Sequence, residues 1–279
     1  MKKVLMFLIT ALFCQVNFAA SIDTAVIYSQ CMHKDIKCVI IKPDTYKNSQ
    51  TRFPVVFLLH GYSDHFDIWV KKIPAVKIYA DQMQMIIVCP DGGFSSWYFD
   101  SPVDSSYKYE THISREVVIF IDGHYRTIPD GEHRAITGLS MGGHGSLYLA
   151  LRHPFIFGAA GSMSGGVDLR PFPDGWDIAK RIGDQKSHWS NWENMSVINM
   201  TGHYPTQSLS IIFDCGTDDF FYQANLQLHE KMMELKIPHD FIQRPGGHTL
   251  DYWKNAIEYQ LLFFKKHFEN HGKMKQSPR

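Results

Sequence analysis

Four short apolar runs, separated by stretches with helical periodicity, constrain the fold of this chain more than any other feature. The runs cover residues 55–59, 85–89, 134–137 and 209–214. Continuous apolar runs of this length are typical of strands that are covered on both faces, as in parallel sheets. Helical spacing of apolar residues follows at 113–125, 145–152, 223–235 and 252–268. The alternation predicts an α/β fold with a doubly wound, mostly parallel sheet.

Two further regions depart from this alternation. Residues 25–43 hold two strand-like runs around a polar turn, which predicts an antiparallel hairpin at the start of the sheet. Residues 165–205 are rich in Trp, Asp, Asn and Gly and lack a clear period. A long irregular insert in a compact domain is usually functional or mobile, so we expect a small lid-like insert here. Residues 21–279 are otherwise predicted to form a single domain.

The first twenty residues have the layout of a secretory signal peptide. Lys2 and Lys3 precede an apolar stretch at 4–13, and the small residues Ala19 and Ala20 follow. The apolar stretch is too short for a bilayer, which needs about 20 residues, and no later stretch is longer, so no membrane span is predicted. We therefore expect an exported protein, either periplasmic or extracellular.

Charge and cysteine content limit the classes of partner. The 28 basic residues equal the 28 acidic ones, so no net field attracts nucleic acid. Cys31 and Cys38 flank a polar turn, and the sequence leaves open whether they form a disulfide or stay free. Cys89 and Cys215 are interpreted as small apolar residues at strand ends. A Cys-x-x-Cys pair is absent from the sequence, which disfavours a structural zinc site.

The segment Gly138-Leu139-Ser140-Met141-Gly142 follows the third apolar run and precedes a helical stretch. The pattern Gly-x-Ser-x-Gly is typical of a nucleophile elbow, a strained strand-to-helix turn that raises the serine hydroxyl above the sheet. Glycine is needed because side chains two positions before and after the serine would collide with neighbouring backbone. The pattern alone also fits a flexible loop, so other parts of the chain must decide.

An acid and a base follow the serine in the order that such an elbow requires. Asp218 and Asp219 lie in a turn after the fourth apolar run, and His248 follows two glycines just before the last helical stretch. Loops after the strands of an open α/β sheet are where ligand chemistry takes place. A serine hydroxyl needs a base, and the base needs an acid that fixes its tautomer.

The first apolar run leads into His60-Gly61-Tyr62. Acyl transfer passes through an oxyanion, and backbone N–H groups that face it stabilise the transition state. We predict the Tyr62 and Met141 amides as these donors. His60 is interpreted as a structural residue that braces the loop, and the nearby residues 64–67 match no metal-site spacing.

Together these segments resemble the putative-esterase (esterase D-like) family of α/β-hydrolases, and within it the tributyrin and feruloyl esterase branch. The resemblance runs from about Val26 to Phe268 through FLLHGYSDHFDIW, DGGFSSWYFDSP, ITGLSMGGHGSLYLALRHP, CGTDDFFYQAN and PGGHTLDYWKNAIEYQ. It implies the α/β-hydrolase fold, no metal and no organic cofactor. It also implies a catalytic triad of Ser140, Asp219 and His248, with Asp218 as the alternative acid.

The resemblance further implies side chains near the substrate. Trp97, Tyr98 and His144 are expected to bind substrate, although Trp97 and Tyr98 also fit plain packing. A second set of tryptophans lies in the insert and could either stack on sugar rings or cover the insert; it consists of Trp176, Trp189 and Trp192.

The expected function is that of an exported serine carboxylesterase that acts on short-acyl or hydroxycinnamoyl (acetyl or feruloyl) esters, free or linked to polysaccharide. Ser140 would carry the acyl group, His248 would serve as general acid and base, and Asp219 would orient His248. Three alternatives stay open: acyl transfer to a sugar, a thioesterase like S-formylglutathione hydrolase, and an inactive carbohydrate-binding protein with this fold. The sequence does not determine the oligomeric state.

Overall fold

The computed structural model describes residues 20–203 and 209–276. The predicted signal peptide lies outside this part of the chain except for Ala20, as do residues 204–205 of the predicted insert. The described residues form one eight-stranded sheet in the order β1-β2-β4-β3-β5-β6-β7-β8. Its strands are β1 (Ser21–Ser29), β2 (Lys34–Lys42), β3 (Val55–Leu59), β4 (Ile86–Pro90), β5 (Arg134–Gly138), β6 (Ala159–Met163), β7 (Ser210–Gly216) and β8 (Asp240–Arg244).

Strands β3 to β8 run parallel to one another. Strands β1 and β2 form an antiparallel hairpin, and β2 pairs antiparallel with β4. The predicted mostly parallel sheet with an N-terminal hairpin is therefore confirmed. Because β3 and β5 to β8 run in one direction, their carboxyl ends meet at a single edge of the sheet.

The helices cover both faces of this sheet. They are α1 (Ile68–Lys72), α2 (Ala75–Met83), α3 (Tyr109–Thr111), α4 (Val118–His124), α5 (Met141–Arg152), α6 (Ile178–Ile182), α7 (Trp189–Met195), α8 (Val197–Met200), α9 (Tyr222–Glu234) and α10 (Leu250–Gln276). A π-helical segment, His112–Val117, joins α3 to α4. Helices α1, α2 and α10 pack on one face, while α4, α5 and α9 pack on the other.

The side chains of β3 show why the apolar runs are continuous. Phe57 and Leu59 belong to one core cluster, whereas Val56 and Leu58 belong to the cluster on the opposite face. Successive strand residues point to opposite faces, so a strand with helices on both sides needs apolar residues at every position. This is the physical basis on which the sequence pattern predicted the layered fold.

Four elements carried no clear sequence signal. Strand β6 is made of Ala, Gly, Ser and Met, and at Gly161 a Cβ would collide with the side chain of Gln260 from α10. Strand β8 lies at the edge of the sheet and is only partly buried, so its sequence is more polar. Helices α1 and α2 are short. The insert, expected to be irregular, contains the three short helices α6 to α8.

The cysteine question is answered by the register of the hairpin. Cys31 lies in the turn after β1, whereas Cys38 pairs with Ala25, four residues into β2. Four strand residues span about 13 Å, which exceeds the Cα separation of a disulfide. Both thiols are free, and Cys89 and Cys215 are buried, as their strand-end positions predicted. Along the described parts of the chain, every helix is too short or too polar to cross a bilayer.

Candidate active site

Ser140 lies in a sharp turn between β5 and α5. Its φ of 55° and ψ of −116° place it outside the helical and extended regions that a side chain prefers. A Cβ at Gly142 would lie 2.6 Å from the His60 carbonyl oxygen, and one at Gly138 would lie 2.7 Å from the Leu59 oxygen. Both distances are shorter than real contacts, so the two glycines permit the turn for the steric reason expected from the sequence.

His248 connects the serine to a buried acid. Its Nε2 lies 2.9 Å from Ser140 Oγ, and its Nδ1 lies 2.8 Å from Asp219 Oδ2. Asp219 is 6% exposed, and its second oxygen accepts a hydrogen bond from the Phe221 amide at 2.8 Å. Asp218 is exposed to solvent. Of the two candidate acids, the structure therefore brings Asp219 to the histidine.

The hydrogen-bond partners of His248 assign its tautomer. A carboxylate accepts hydrogen bonds, so the proton lies on Nδ1, beside Asp219. Nε2 then carries a lone pair that faces the hydroxyl of Ser140. This arrangement can remove the hydroxyl proton and lets the carboxylate stabilise the resulting imidazolium.

Backbone hydrogen bonds hold the acid turn and the histidine loop together. The Thr217 amide donates to the Arg244 carbonyl at 2.9 Å, and the Asp218 amide donates to the Gly246 carbonyl at 2.9 Å. These contacts extend the pairing of β7 and β8 beyond the ends of the strands. Asp219 and His248 are consequently positioned by the same parallel ladder.

The loop after β3 lies against the nucleophile, since a Cβ at Gly61 would be 3.6 Å from Ser140 Cβ. His60 is buried beneath it: its Nε2 accepts from the Gly92 amide at 2.7 Å, and its Nδ1 donates to the Gly61 carbonyl at 2.8 Å. The structural role predicted for His60 is confirmed. Tyr62 follows this brace, and Met141 directly follows Ser140 as the first residue of α5.

Trp97, Tyr98 and His144, which were predicted to bind substrate, are all buried in this structure. Each side chain is at most 1% exposed. Trp97 Nε1 donates to the Trp176 carbonyl at 3.2 Å, and the Tyr98 hydroxyl donates to the His60 carbonyl at 3.0 Å. Burial lowers the pKa of His144 to about 3, so its ring is neutral at ordinary pH. The three motif side chains thus form hydrogen bonds with the backbone of loops near the site.

Aromatic rings that the sequence did not assign surround His248. Phe220 is half exposed, with its ring centroid 4.3 Å from that of His248, and it stacks on Trp176 at 5.3 Å. Trp253 approaches His248 from α10 at 4.9 Å. In the sequence, the only signal for Phe220 is its position next to Asp219, and the only signal for Trp253 is its position shortly after His248. Among the tryptophans of the insert, Trp192 is buried and therefore packs in the core.

One group of described residues has ligand atoms close enough to hold a metal ion, namely Asp130, Glu132 and His133. They precede β5 and so lie at its amino-terminal end, whereas Ser140 follows its carboxyl-terminal end. Nothing in the triad geometry requires an ion.

A family model described as Putative esterase matches residues 29–264. The chain belongs to this esterase family. The esterase Rv1288 of Mycobacterium tuberculosis is 26% identical over 241 residues, which cover 75% of this chain and 52% of that protein. The diacylglycerol acyltransferase/mycolyltransferase Ag85A of Mycobacterium bovis is 34% identical over 149 residues, 50% of this chain and 41% of that protein. The chain thus spans about half the length of the curated relatives it matches.

Solved structures share the fold along most of the chain. A ferulic acid esterase superposes with a TM-score of 0.79 and 29% identity, covering 90% of this chain and 100% of the other. The fluorophosphonate-binding serine hydrolase FphF of Staphylococcus aureus superposes with a TM-score of 0.78, covering 88% of this chain and 98% of its own. At 20% identity, that second likeness shows the fold alone.

Proposed function

We propose that this protein is a serine carboxylesterase. The observation that carries the proposal is the continuous hydrogen-bonded chain from Ser140 Oγ through the His248 ring to the buried carboxylate of Asp219. The elbow strains Ser140 into the position that such a nucleophile occupies, and family membership supports ester chemistry.

In the acylation step, His248 Nε2 accepts the hydroxyl proton while Ser140 Oγ forms a bond to the ester carbonyl carbon. The carbonyl oxygen becomes an oxyanion, and the Tyr62 and Met141 amides donate to it. Each such donor contributes roughly 3 to 4 kcal/mol to the transition state. The bond to the alkoxy oxygen then breaks, and the alcohol leaves with the proton from His248.

In the deacylation step, the same histidine removes a proton from water, and the hydroxide oxygen attacks the acyl carbon. Collapse of the second oxyanion breaks the bond to Ser140 Oγ, which takes back the proton from His248. Asp219 keeps its negative charge throughout and stabilises the imidazolium. The cycle uses only this chain's residues and water.

We assign the substrates to the short-acyl and hydroxycinnamoyl esters, including esters on polysaccharide. The support is the family and the ferulic acid esterase of similar structure. The half-exposed Phe220 and the stacked Trp176 also give the site an aromatic wall. Export follows from the N-terminal sequence pattern, since Lys2, Lys3 and the apolar stretch after them have the composition of a signal peptide.

The test is hydrolysis of p-nitrophenyl acetate together with covalent labelling by a fluorophosphonate. The wild type should hydrolyse the ester and take one label, and Ser140→Ala should lose both. Ser146→Ala is a matched control, because this buried serine lies in α5, the helix that follows Ser140, and its hydroxyl donates to the helix backbone. Equal rates above background for wild type and Ser140→Ala would refute the proposal, whereas a wild type that takes no label would favour the inactive carbohydrate-binding alternative.

Acyl transfer to a sugar is the second candidate, because the matching part of Ag85A belongs to a protein named as an acyltransferase. Product analysis separates the two reactions. With a p-nitrophenyl ester and an excess of trehalose or glucose, a hydrolase releases free acid, whereas a transferase forms the sugar ester. A thioesterase would instead hydrolyse S-formylglutathione faster than it hydrolyses oxygen esters.

A further inference from the structure

A turn of the insert comes to the active site in an unusual backbone conformation. Trp176 has a φ of 45° and Asp177 a φ of 55°, so two consecutive non-glycine residues lie in the left-handed region. Residues of this kind persist only where surrounding contacts hold them, and they are concentrated at functional sites. The contacts that hold this turn therefore indicate its role.

The Trp176 half of the turn is fixed from beneath and from the side of the acid turn. The buried Trp97 donates its ring N–H to the Trp176 carbonyl at 3.2 Å. The Trp176 ring stacks on Phe220 with centroids 5.3 Å apart and an interplanar angle of 21°. Phe220 directly follows Asp219, so the turn is tied to the segment that carries the acid.

The Asp177 half of the turn reaches the loop after β3, which lies against the nucleophile. Its Oδ2 accepts a hydrogen bond of 3.0 Å from the Tyr62 hydroxyl, across 115 residues of sequence, while its Oδ1 pairs with Lys180 at 2.8 Å. The hydrogen bond from Lys180 is the main reason that the pKa of Asp177 is lowered. Partial burial, followed by the bond to Asp177, raises the pKa of Tyr62. At neutral pH the bond therefore joins a charged carboxylate to a protonated phenol, which makes it charge-assisted.

Apart from this hydrogen bond, the Tyr62 side chain is held by packing against one core cluster. Its ring is partly buried against Phe94, which is itself half exposed, with centroids 5.0 Å apart. The next residue, Ser63, has a φ of 60°, and the Asp64 amide closes the turn onto the Gly61 carbonyl at 3.3 Å. In such a short turn, the direction of the Tyr62 side chain and the orientation of its peptide are linked.

We propose that Asp177 is a positioning residue for ester hydrolysis, which holds the Tyr62 hydroxyl and thereby orients the Tyr62 backbone N–H toward the oxyanion. The inference rests on the proposed function, since it assigns the Tyr62 amide as an oxyanion donor. The insert thereby has a defined role, because it connects the oxyanion loop to the acid turn and sets their distance from Ser140. Asp177 itself contacts no reacting atom.

The test is a set of variants of the full chain assayed for kcat and KM with p-nitrophenyl acetate. Tyr62→Phe removes the side-chain bond but keeps the backbone N–H, so any loss of kcat reports orientation. Complete removal of an oxyanion donor costs about 10²–10³ in kcat, and we expect a misoriented donor to cost about tenfold with KM unchanged. Asp177→Ala should match Tyr62→Phe, and the double variant should be no slower than either single one. Asp177→Asn, which keeps an uncharged acceptor, should recover part of the rate.

Two control variants remove the same chemical groups, a phenol hydroxyl and a carboxylate, at other positions. Tyr28→Phe removes a hydroxyl from an exposed tyrosine of β1, and Asp174→Ala removes a carboxylate from an exposed position of the same insert. Both should leave kcat within twofold of the wild type. Thermal unfolding shows whether each variant is folded, and the near-isosteric Tyr62→Phe keeps the test valid if Asp177→Ala does not fold.

A second readout is inhibition by a trifluoromethyl ketone, whose serine adduct carries an oxyanion. Its Ki should rise in Tyr62→Phe by the same factor by which kcat/KM falls. Wild-type kcat in Tyr62→Phe, a change in KM alone, or multiplicative effects in the double variant would each overturn the inference. A wild type that neither hydrolyses esters nor takes the fluorophosphonate would instead refute the proposed function.

Discussion

The exchange of Asp219 for asparagine tests the proposed triad most sharply, because the side chain keeps its shape while its hydrogen bonding changes. One carboxylate oxygen accepts from the Phe221 amide at 2.8 Å, and the other faces His248 Nδ1 at 2.8 Å. In Asp219→Asn, the amide oxygen must stay on the Phe221 side, since an NH₂ group there would oppose the Phe221 N–H in a buried site. The NH₂ group then points at His248.

That orientation exchanges the donor and acceptor roles of the two His248 ring nitrogens. Nδ1 must accept from the asparagine, so the proton moves to Nε2, and the ring then donates to Ser140 Oγ instead of accepting from it. The same exchange in the serine-protease triad lowers kcat about 10⁴-fold. At about 1.36 kcal/mol per factor of ten, this corresponds to about 5 kcal/mol of lost transition-state stabilisation. We expect a loss of this size here.

The matched control is Asp218→Asn, which alters the neighbouring, exposed carboxylate and should leave kcat within a factor of two. Both variants are assayed with p-nitrophenyl acetate at pH 7.5, and their thermal unfolding is compared with that of the wild type. If Asp219→Asn, still folded, lost less than tenfold in kcat, or if Asp218→Asn lost as much, the assignment of the acid would be wrong.

Three further predictions concern stability. Burial raises the pKa of Asp214 from 3.8 to about 6. A raised pKa favours the neutral carboxyl group in the folded state. In urea unfolding, the free energy of unfolding of the wild type relative to Asp214→Asn should therefore be greatest below about pH 4. It should fall by about 3 kcal/mol as the pH rises from about 4 through 6. Gly142→Ala should lower the free energy of unfolding by about 3 kcal/mol and abolish activity, because the new Cβ would lie 2.6 Å from a backbone oxygen. Gly123→Ala, in a helix with open space around it, should instead raise the free energy of unfolding by up to about 1 kcal/mol. A reductant should leave Tm unchanged because Cys31 and Cys38 are free, and a clear decrease would contradict their separation in the hairpin.

Much of the fold could be predicted because its central strands need apolar residues on both faces. The boundaries predicted for β3 match the structure, and those of β5 and β7 differ by one or two residues. Strand β6 had no such signal, since the side chain of Gln260 fills the space that a residue larger than glycine would occupy at position 161. Contacts of that kind come from distant elements and leave no local pattern.

The sequence by itself determined the elbow, the order of the triad residues and the loops that carry them, because steric and chemical requirements at those positions allow few residue types. The family resemblance favoured Asp219 over Asp218, but only the tertiary structure showed that Asp219 contacts His248, since adjacent residues of a turn point in different directions. It also showed that Trp97 and His144 are buried. The bond between Tyr62 and Asp177 joins residues 115 positions apart, and such a contact depends on how the insert folds over the sheet and not on any local pattern.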